Sequence, residues 1–376
     1  MGMDWQSEVD VVVVGSGAGG MLAALVAAKN RAEVLVVEKD KLWGGTSATS
    51  GGGIWIPGSD QAKALGFDDN LDDAFKYVRA LSADNVPDEN IRAYVENAAP
   101  MLRWVTANTG VTYTSQPYPD YHAENPGGSV TGYRTHLPEM FDGTLLGEDL
   151  KTQRLPSPAA SLFGYLNWTF AETYQLLYRG PGWLTGLAKN MAKYWFDWPL
   201  RFTSRKDRRL TLGNALTGGL RVALNEAGVP VWLKTPMREL VTENGKVVGI
   251  VVEKGGKPFA VRARKGVVLA AGGFDKNQQM RDANAPLYNK AWASGGVTSN
   301  TGDAIRAGEA VGAGTMNMHS AWAAPVFHVP GEDRGRLCTI ERALPGCIMV
   351  NQKGQRYLNE AASYHIVGQQ MARRQR

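Results

Sequence analysis

The sequence has few cysteines and no long apolar run. Its only cysteines are Cys338 and Cys347, which form no CxxC motif and have no companion histidine cluster. We therefore predict no metal site and expect two buried, reduced thiols. No CxxCH motif or iron–sulfur spacing is present, so attached haem and Fe–S clusters are not expected. No apolar run reaches the roughly 18–20 residues of a membrane-spanning helix, and the acidic start, MGMDWQSEVD, is not typical of a signal peptide.

Charge of one sign is also scarce. The net charge is +5, a mild excess concentrated in RFTSRKDRR (201–209) and at the C-terminus, which we interpret as solvated surface rather than a nucleic-acid site. The aromatic stretch YWFDWPLRF overlaps the first of these clusters and is compatible with peripheral contact with a membrane. We otherwise expect a cytoplasmic protein, long enough for two domains at 376 residues and 44% hydrophobic content.

The first forty residues predict a strand, a tight turn, a helix and a second strand. Val11–Val14 is an apolar run typical of a central parallel strand. Gly15, Gly17 and Gly20 follow it as GxGxxG, whose glycines permit the turn, the approach of a pyrophosphate and close helix–strand packing. The helix N-terminus attracts phosphate. Glu38 ends the second strand, where a carboxylate accepts ribose hydroxyls and repels a 2′-phosphate.

This fingerprint leaves NAD and FAD open, and the next segment favours FAD. In a NAD enzyme an ordinary helix normally follows the acidic residue, whereas here the chain continues as GGTSATSGGGIWIP (44–57). Small residues and hydroxyls let backbone amides and side chains reach the pyrophosphate and ring of a longer cofactor. We predict non-covalent FAD, held additionally by Gly45, Thr46, Ser47, Ser50, Gly51 and Gly52.

With these motifs the sequence resembles the FAD-dependent fumarate reductase/3-ketosteroid dehydrogenase superfamily, and within it the 3-ketosteroid Δ1-dehydrogenases. The resemblance rests on DVVVVGSGAGG, GGTSATSGGGIWIPGS, PYPDYHAENPGG, MFDGTLLGEDL, LTLGNAL, VVLAAGGFDKN, NTGDAIRAGEAVGAG and IMVNQKGQRYLNEA. The front segments are shared across the superfamily, whereas PDY and GQRYLNE point more narrowly to the steroid enzymes.

The resemblance implies an α/β fold with a Rossmann-like FAD-binding domain at 1–275 and an α+β substrate domain at 276–376. The FAD-binding domain is expected to contain an aromatic, amphipathic insert at about 157–209. The runs between Val229 and Gly273 predict a β-meander with hairpin turns at ENGK and KGGK. By analogy, Met237 contacts the adenine, and Ala271 and Gly272 pass close to the cofactor. Thr301 or Asp303 is expected to cap a helix, with cofactor contact by Asp303 as the alternative.

The resemblance implies removal of a hydride from C1 and a proton from C2 of a 3-ketosteroid in steroid degradation. It assigns the base to Tyr357 and an assisting role to Tyr121, with Tyr113, Tyr118 and Tyr133 as nearby alternatives to Tyr121. A tyrosine has an ordinary pKa of about 10, which must fall by roughly 2–3 for the side chain to serve as a base near neutrality. The electrons are expected to pass to an external acceptor such as a quinone.

Two alternatives remain open. One is a related flavoprotein, either fumarate-reductase-like, with Arg334, Arg336 and Arg342 clamping a dicarboxylate, or a 3-ketosteroid Δ4-dehydrogenase. The other is a non-catalytic flavin-binding fragment. Family members continue well beyond the point that corresponds to Arg376, with a segment that closes the FAD domain and holds the C3 carbonyl. We therefore expect a fragment or a shortened relative with an incomplete substrate domain.

Overall fold

The structure is a computed structural model that describes residues 3–288, 295–332, 334–338 and 341–374. The chain forms two compact units. The first comprises Met1–Thr49, Ser157–Ala159 and Leu224–Arg376, and the second comprises Ser50–Pro156 and Ala160–Ala223. The boundary predicted near residue 275 lies within the first unit, and the division into a cofactor domain and a substrate domain stays a prediction.

The secondary structure alternates between strands and helices. The strands are β1 (Ser7–Val14), β2 (Val34–Val37), β3 (Ile54–Trp55), β4 (Tyr113–Gln116), β5 (Thr135–Pro138), β6 (Phe141–Asp142), β7 (Ser161–Leu162), β8 (Leu166–Asn167), β9 (Arg209–Leu210), β10 (Val231–Trp232), β11 (Met237–Glu243), β12 (Lys246–Lys254), β13 (Lys257–Leu269), β14 (Val326–Phe327) and β15 (Arg336–Leu337). The helices are α1 (Ala18–Lys29), α2 (Gly45–Thr49), α3 (Asp60–Ala64), α4 (Leu71–Leu81), α5 (Asp88–Thr109), α6 (Asp149–Thr152), α7 (Phe170–Leu177), α8 (Trp183–Trp195), α9 (Trp198–Arg201), α10 (Leu212–Glu226), α11 (Gln278–Asn284), α12 (Asp303–Ala310) and α13 (Tyr364–Arg374).

The first unit is built on a mixed sheet in the order β10-β2-β1-β13-β12-β11. The first four strands are parallel, and β12 and β11 extend the sheet as an antiparallel meander. Helix α1 connects β1 to β2 and packs against both. Its buried face includes Met21, Ala24 and Leu25, while all four residues of β2 are buried. The predicted strand–turn–helix–strand unit is therefore confirmed.

The two predicted hairpins of the meander are also confirmed. Asn244 and Gly245 join β11 to β12 with φ angles of 51° and 75°, and Gly255 and Gly256 join β12 to β13 with φ angles of 60° and 77°. Positive φ at both central residues is the geometry that matches the twist of two-residue hairpins and favours Asn-Gly and Gly-Gly. The residue types thus determine the turn type directly.

The second unit has a small sheet, β3-β5-β4, and its helices include α4 and the 22-residue α5. One cluster packs Leu102 of α5 against Ile56 and Tyr113, and another packs Ala74 of α4 against Ile91 and Val95. The aromatic insert contains β7, β8, α7, α8 and α9, and its own cluster is centred on buried Leu166, Trp168 and Tyr194.

Two further predictions concern the burial of the cysteine thiols and the presence of a membrane-spanning helix. Cys338 is buried, but Cys347 is exposed, so the expectation of two buried thiols is wrong for the second. Cys347 follows a short 3-10 turn at Glu341–Ala343 and lies in an irregular segment with little apolar cover. In the described part of the chain, no helix has the length and apolar character needed to cross a bilayer.

Candidate functional site

The carboxyl ends of three neighbouring parallel strands meet at one edge of the large sheet. Val14, at the end of β1, pairs with Val37 of β2 and with Leu269 of β13. The N–H of Gly15 donates to the carbonyl of Val37 at 2.9 Å, and the N–H of Ala270 donates to the carbonyl of Val14 at 2.8 Å. The structure therefore brings together the glycine turn after β1, the acidic end of β2 and the glycines after β13.

Two of the three GxGxxG glycines are required by close backbone approaches. A Cβ on Gly15, whose φ is +106°, would lie 2.4 Å from the carbonyl oxygen of Ala270, and a Cβ on Gly20 would lie 2.1 Å from that of Gly15. Gly17 differs, because within 4 Å a Cβ there would meet only the Ser47 hydroxyl, at 3.4 Å. Gly15 and Gly20 thus hold the turn together, while Gly17 leaves space in front of the start of α1.

Glu38 is held in a fixed position at this edge. Its carboxylate accepts hydrogen bonds from the Ser16 backbone N–H at 3.1 Å, from the Ser16 hydroxyl at 2.6 Å and from the Asp40 N–H at 2.9 Å. The Ser16 hydroxyl in turn accepts from the N–H of Gly44. Ser16 was not among the predicted site residues, although its position inside the GxGxxG motif was a usable signal. Ser16 thus links the glycine turn after β1 to the carboxylate of Glu38.

The second glycine-rich segment is tied to the first. The Ser47 hydroxyl accepts from the N–H of Ala18, the first residue of α1, at 3.0 Å. The Thr46 hydroxyl accepts from the amide of Asn300 at 3.1 Å, and a Cβ on Gly272 would lie 3.0 Å from the same amide's oxygen. Asn300 therefore links the segment after β2 to the glycines after β13, a contact between distant parts of the chain that sequence reasoning missed.

The remaining residues of that segment belong partly to the other unit. Gly45 begins α2 with a φ of +52° and lies in the first unit, whereas Ser50, Gly51 and Gly52 lie in the second. A Cβ on Gly52 would lie 2.7 Å from the carbonyl carbon of Leu212, and one on Gly51 would meet nothing within 4 Å. The cofactor contacts of these residues stay predictions.

Met237 and Ala271 lie in or against the core of the sheet. Met237 is buried in the cluster that contains Val12 and Val14, and Ala271 packs against the same cluster. The N–H of Thr235, two residues before Met237, donates to the carbonyl of Glu38 at 2.8 Å. The start of β11 is thus adjacent to the acidic end of β2, but the predicted adenine contact of Met237 stays a prediction.

Asp303 does not cap its helix. The N-cap position of α12 is Gly302, with a φ of +74° and no side-chain cap, so the prediction of Thr301 or Asp303 as the cap is wrong. The left-handed conformation of this glycine turns the chain here, and it leaves both side chains available to Lys39. The ammonium of Lys39 donates to Thr301 and to Asp303, each at 2.6 Å. Cofactor contact by Asp303 stays a prediction.

The residues of the first unit fit a dinucleotide with a diphosphate. The N-cap residue of α1 is Gly17, which has no side chain to cap the helix, and of the first N–H groups that of Ala18 donates to the Ser47 hydroxyl. Such a terminus presents N–H groups and a positive dipole end to phosphate. The Glu38 carboxylate lies beside it and retains acceptor capacity, because its three hydrogen bonds leave one lone-pair direction unused.

Tyr357 has a half-buried side chain in the first unit. It follows Arg356, which pairs with Glu360 at 2.6 Å, and the guanidinium of Arg374 lies 5.6 Å from the centre of its ring. Burial raises the pKa of Tyr357 above its ordinary value, and the Arg374 charge opposes that rise only in part. The protein groups around Tyr357 therefore do not lower its pKa in the way that a tyrosine base requires.

Tyr121 lies on a turn of the second unit and is 66% exposed. The alternatives named for its role are engaged elsewhere. Tyr113 is buried in the core, and that burial raises its pKa strongly. Tyr118 contacts Phe170, and Tyr133 stacks on Phe67. Tyr121 is thus the most exposed tyrosine of this region, which suits a side chain that meets a ligand, although its catalytic role stays a prediction.

Beside Tyr121 lies a buried ionic network that sequence reasoning missed. Arg134 bridges Asp69 at 2.7 Å and Asp120 at 2.9 Å, and the three side chains are at most 3% exposed. The only available signal was the presence of charged residues within otherwise apolar or turn-rich stretches. Among the residues the structure describes, no group of three or more His, Cys, Asp or Glu side chains is arranged to hold a metal ion.

Comparison with known proteins agrees with a cofactor site formed by Gly17, Glu38 and Ser47. Residues 10–376 match the family described as FAD binding domain. The chain is 39% identical to a 3-oxosteroid 1-dehydrogenase of Mycolicibacterium smegmatis, over 95% of this chain and 62% of that protein. It is 33% identical to a 4-oxocyclohexanecarboxylate 2-dehydrogenase of Sinomonas cyclohexanicum, over 96% of this chain and 60% of that protein. The chain thus spans about three fifths of the length of these relatives.

A solved structure is similar over nearly the whole chain. It is the 3-ketosteroid Δ1-dehydrogenase of Sterolibacterium denitrificans in complex with 1,4-androstadiene-3,17-dione. The TM-score is 0.92 and the sequence identity is 43%, covering 98% of this chain and 66% of that one. The fold described above is therefore shared with that relative, whose structure contains the steroid.

Proposed function

Since this chain belongs to the FAD binding domain family and FAD is its cofactor, we propose that it acts as an FAD-dependent 3-oxosteroid 1-dehydrogenase. The observation that carries the proposal is its similarity to a steroid-bound Δ1-dehydrogenase at 43% identity and a TM-score of 0.92. The cradle formed by Gly17, Glu38 and Ser47 supports the cofactor, and the relatives support the substrate class. A 3-ketosteroid is accordingly the proposed substrate.

The reaction removes one hydrogen from each of two neighbouring carbons. Bound FAD supplies a hydride acceptor for the hydrogen at C1. The C2 proton is acidified by the C3 carbonyl, and we assign its removal to the phenolate form of Tyr357, whose oxygen takes up the proton and becomes a hydroxyl. Tyr121 is assigned an assisting role, which is to favour the ionised form of the base. The electrons then leave to an external acceptor such as a quinone.

The test is the bleaching of the flavin by steroid without oxygen. Protein expressed from its complete natural reading frame and loaded with FAD is mixed with androstenedione, and the loss of visible flavin absorbance is followed. Tyr357→Phe is expected to keep the flavin spectrum and to lose bleaching by at least about 100-fold, since a general base contributes about 10²–10⁴-fold. The control is Tyr364→Phe, a neighbouring tyrosine that stacks on Trp322. Unchanged bleaching in Tyr357→Phe would remove that residue from the mechanism.

The related activities are separated by the same assay. A dicarboxylate clamp is disfavoured because Arg336 pairs with Glu332 and Arg342 donates to the carbonyls of Glu360 and Ala362. Bleaching by succinate and not by androstenedione would identify a fumarate-reductase-like enzyme. Bleaching by 4-oxocyclohexanecarboxylate alone would place the substrate among smaller cyclic ketones. Androstenedione already has the C4–C5 double bond, so 5α-androstane-3,17-dione is used to separate the two steroid activities, and the position of the new double bond in its product distinguishes a Δ1- from a Δ4-dehydrogenase. No bleaching by any ketone favours a non-catalytic flavoprotein.

We also propose that the aromatic insert contacts an anionic membrane surface, from which an apolar steroid can enter the protein. Its exposed aromatic side chains lie from just after β7 to just after α9. Arg208 and Arg209 of the basic cluster predicted to be solvated instead pair with Asp197 and Glu172. The exposed basic residues of the insert are Arg179, Lys189, Lys193 and Arg205. The exposed aromatics are Phe163, Tyr178, Trp195, Phe196, Trp198 and Phe202. Aromatic side chains beside Lys and Arg are the combination that binds the interface of anionic bilayers.

Vesicle co-sedimentation tests this contact. Phe202→Ser is expected to weaken binding to phosphatidylglycerol vesicles several-fold. The control is Trp322→Ser, which removes an equally exposed aromatic of the first unit, 82% exposed against 83% for Phe202. Equal binding by both variants and the wild type would exclude a role of the insert.

A further inference from the structure

We propose that Arg134 is a positioning residue that acts through Asp120 to hold the Tyr121-bearing turn in its working conformation. The inference rests on the proposed function, because it assigns Tyr121 to the reaction. It concerns residues 117–134 of the second unit, in which Asp120 and His122 flank Tyr121. The tyrosine itself is 66% exposed, and the residues on both sides of it are anchored to buried groups.

The residue before Tyr121 is fixed by buried charge. The Asp120 carboxylate accepts from Arg134 at 2.9 Å, from the Trp55 indole N–H at 2.7 Å and from the Ser129 N–H at 2.9 Å. The Asp120 N–H donates in return to the carbonyl of Ser129 at 2.9 Å. Asp120 therefore closes the turn on itself and ties it to the strand that contains Trp55.

The residue after Tyr121, His122, is held through Tyr77, which stacks on the same Trp55. The N–H of His122 donates to the hydroxyl of Tyr77 at 3.3 Å, and the Tyr77 ring stacks on Trp55 with 5.6 Å between centres. Tyr121 thus lies between two anchored residues, and both anchors converge on Trp55. A turn fixed on both sides of one exposed side chain is a geometry that positions that side chain.

Arg134 occupies the centre of the arrangement. One edge of its guanidinium binds Asp69 in a fork, at 2.9 and 2.7 Å. The remaining nitrogen donates to Asp120 and, at 2.8 Å, to the carbonyl of Gly127. Its own carbonyl accepts from the N–H of Ile56 at 2.7 Å. The planar fork meets three acceptors in fixed directions, which a lysine ammonium does not reproduce.

Stability alone does not account for such a group. One arginine with two aspartates leaves a net negative charge among side chains that are almost fully buried. Buried ionic groups are often no more stable than apolar replacements, and their best supported use is to specify one conformation. The conformation specified here is that of residues 120–129, which contain Tyr121. A displacement of about 1 Å at a reacting group can cost on the order of 100-fold in rate.

The experiment combines a kinetic cycle with a structural measurement. In the FAD-loaded protein expressed from its complete natural reading frame, Arg134→Lys is expected to slow steroid-dependent flavin bleaching by about 10- to 100-fold. The dissociation constant for FAD should change less than about twofold. The matched control is Arg103→Lys, which alters an exposed arginine–aspartate pair of the same unit, with Asp60 at 3.0 Å, and should leave bleaching within about twofold. If Arg134→Lys does not fold, Asp120→Asn takes its place.

The cycle separates positioning from general damage. In a Tyr121→Phe background, Arg134→Lys should have almost no further effect, because residues that act as one unit are not additive. Hydrogen exchange of the peptide covering 117–133 should be faster in Arg134→Lys and unchanged in Arg103→Lys. An equal loss of rate in both backgrounds, or unchanged exchange, would overturn the inference. If the wild type itself is not bleached by steroid, the proposed function fails, while the exchange measurement still decides whether Arg134 orders the turn.

Discussion

Adjacent glycines in α1 provide a controlled test of how the helix packs against the glycine turn at residues 15–17, which precedes it. Gly19 and Gly20 both lie in the first turn of the helix, and alanine at either position gains helix propensity of about 1 kcal/mol. A Cβ on Gly19 would meet nothing within 4 Å, whereas one on Gly20 would lie 2.1 Å from the carbonyl oxygen of Gly15. Any difference between the two alanine variants therefore reports the backbone contact alone.

The size of that difference follows from the contact. Overpacking a tight site costs about 1–3 kcal/mol, and the clashing atom is backbone, which no rotamer change can move. We expect Gly20→Ala to be less stable than Gly19→Ala by about 1–3 kcal/mol, or a melting temperature lower by roughly 2–10 °C. The displaced turn should also raise the dissociation constant for FAD at least about tenfold, equivalent to about 1.4 kcal/mol.

Thermal unfolding followed by circular dichroism and titration with FAD followed by flavin fluorescence measure the two quantities. Gly19→Ala should match the wild type in FAD affinity within about threefold and should be more stable by up to about 1 kcal/mol, because it gains helix propensity without a clash. If the two alanine variants behave alike, the approach of α1 to the Gly15 turn is not what the third glycine provides.

The other predictions concern a carboxylate and a histidine. Glu38→Gln should weaken FAD binding by about tenfold in the same titration, because it removes a charge-assisted acceptor. The control, Glu33→Gln, changes an exposed carboxylate before the same strand and should leave FAD binding unchanged. Equal affinities of the two variants would contradict the assignment of Glu38 to the ribose hydroxyls. His136 is buried, and burial lowers its pKa below the ordinary 6.5. As the pH falls below 6.5, the histidine therefore becomes protonated in the unfolded chain before it does in the folded protein. The melting temperature should therefore fall as the pH decreases from about 6.5 to about 5, with a shallower fall in His136→Gln; identical slopes would show that another group is responsible.

Local sequence signals predicted the cofactor half of the molecule well. The apolar run of β1, Gly20 and the acidic residue after β2 act through contacts within one βαβ unit, so their spacing determines that part of the arrangement. Gly15 also approaches Ala270, after β13. The turns at Asn244–Gly245 and Gly255–Gly256 are equally local, because two positive φ angles select their residues. In each case neighbouring residues along the chain are sufficient to explain the local conformation.

Contacts between distant segments could not be predicted in this way. Asn300 meets Thr46 only because the ends of β2 and β13 flank β1, and Lys39 reaches Asp303 for the same reason. The wrong assignment of the α12 cap followed from this, since Lys39 engages the side chains of both residues predicted to cap the helix. Arg134 and Asp69 are also far apart in the chain, and no periodicity or motif connects them.

The proposed chemistry makes the arrangement of hydroxyl groups more important than the ordinary acidity of one tyrosine. Burial raises the pKa of Tyr357 and so disfavours its phenolate, and Arg374 offsets this only in part. Tyr357 is therefore protonated in the resting protein near neutral pH. A base of this kind needs help to ionise when the substrate is bound, and the proposal assigns this assisting role to the hydroxyl of Tyr121. Because a hydrogen bond weakens steeply with distance and angle, such help depends on where the turn holds its tyrosine, which is the property that Arg134 is proposed to control.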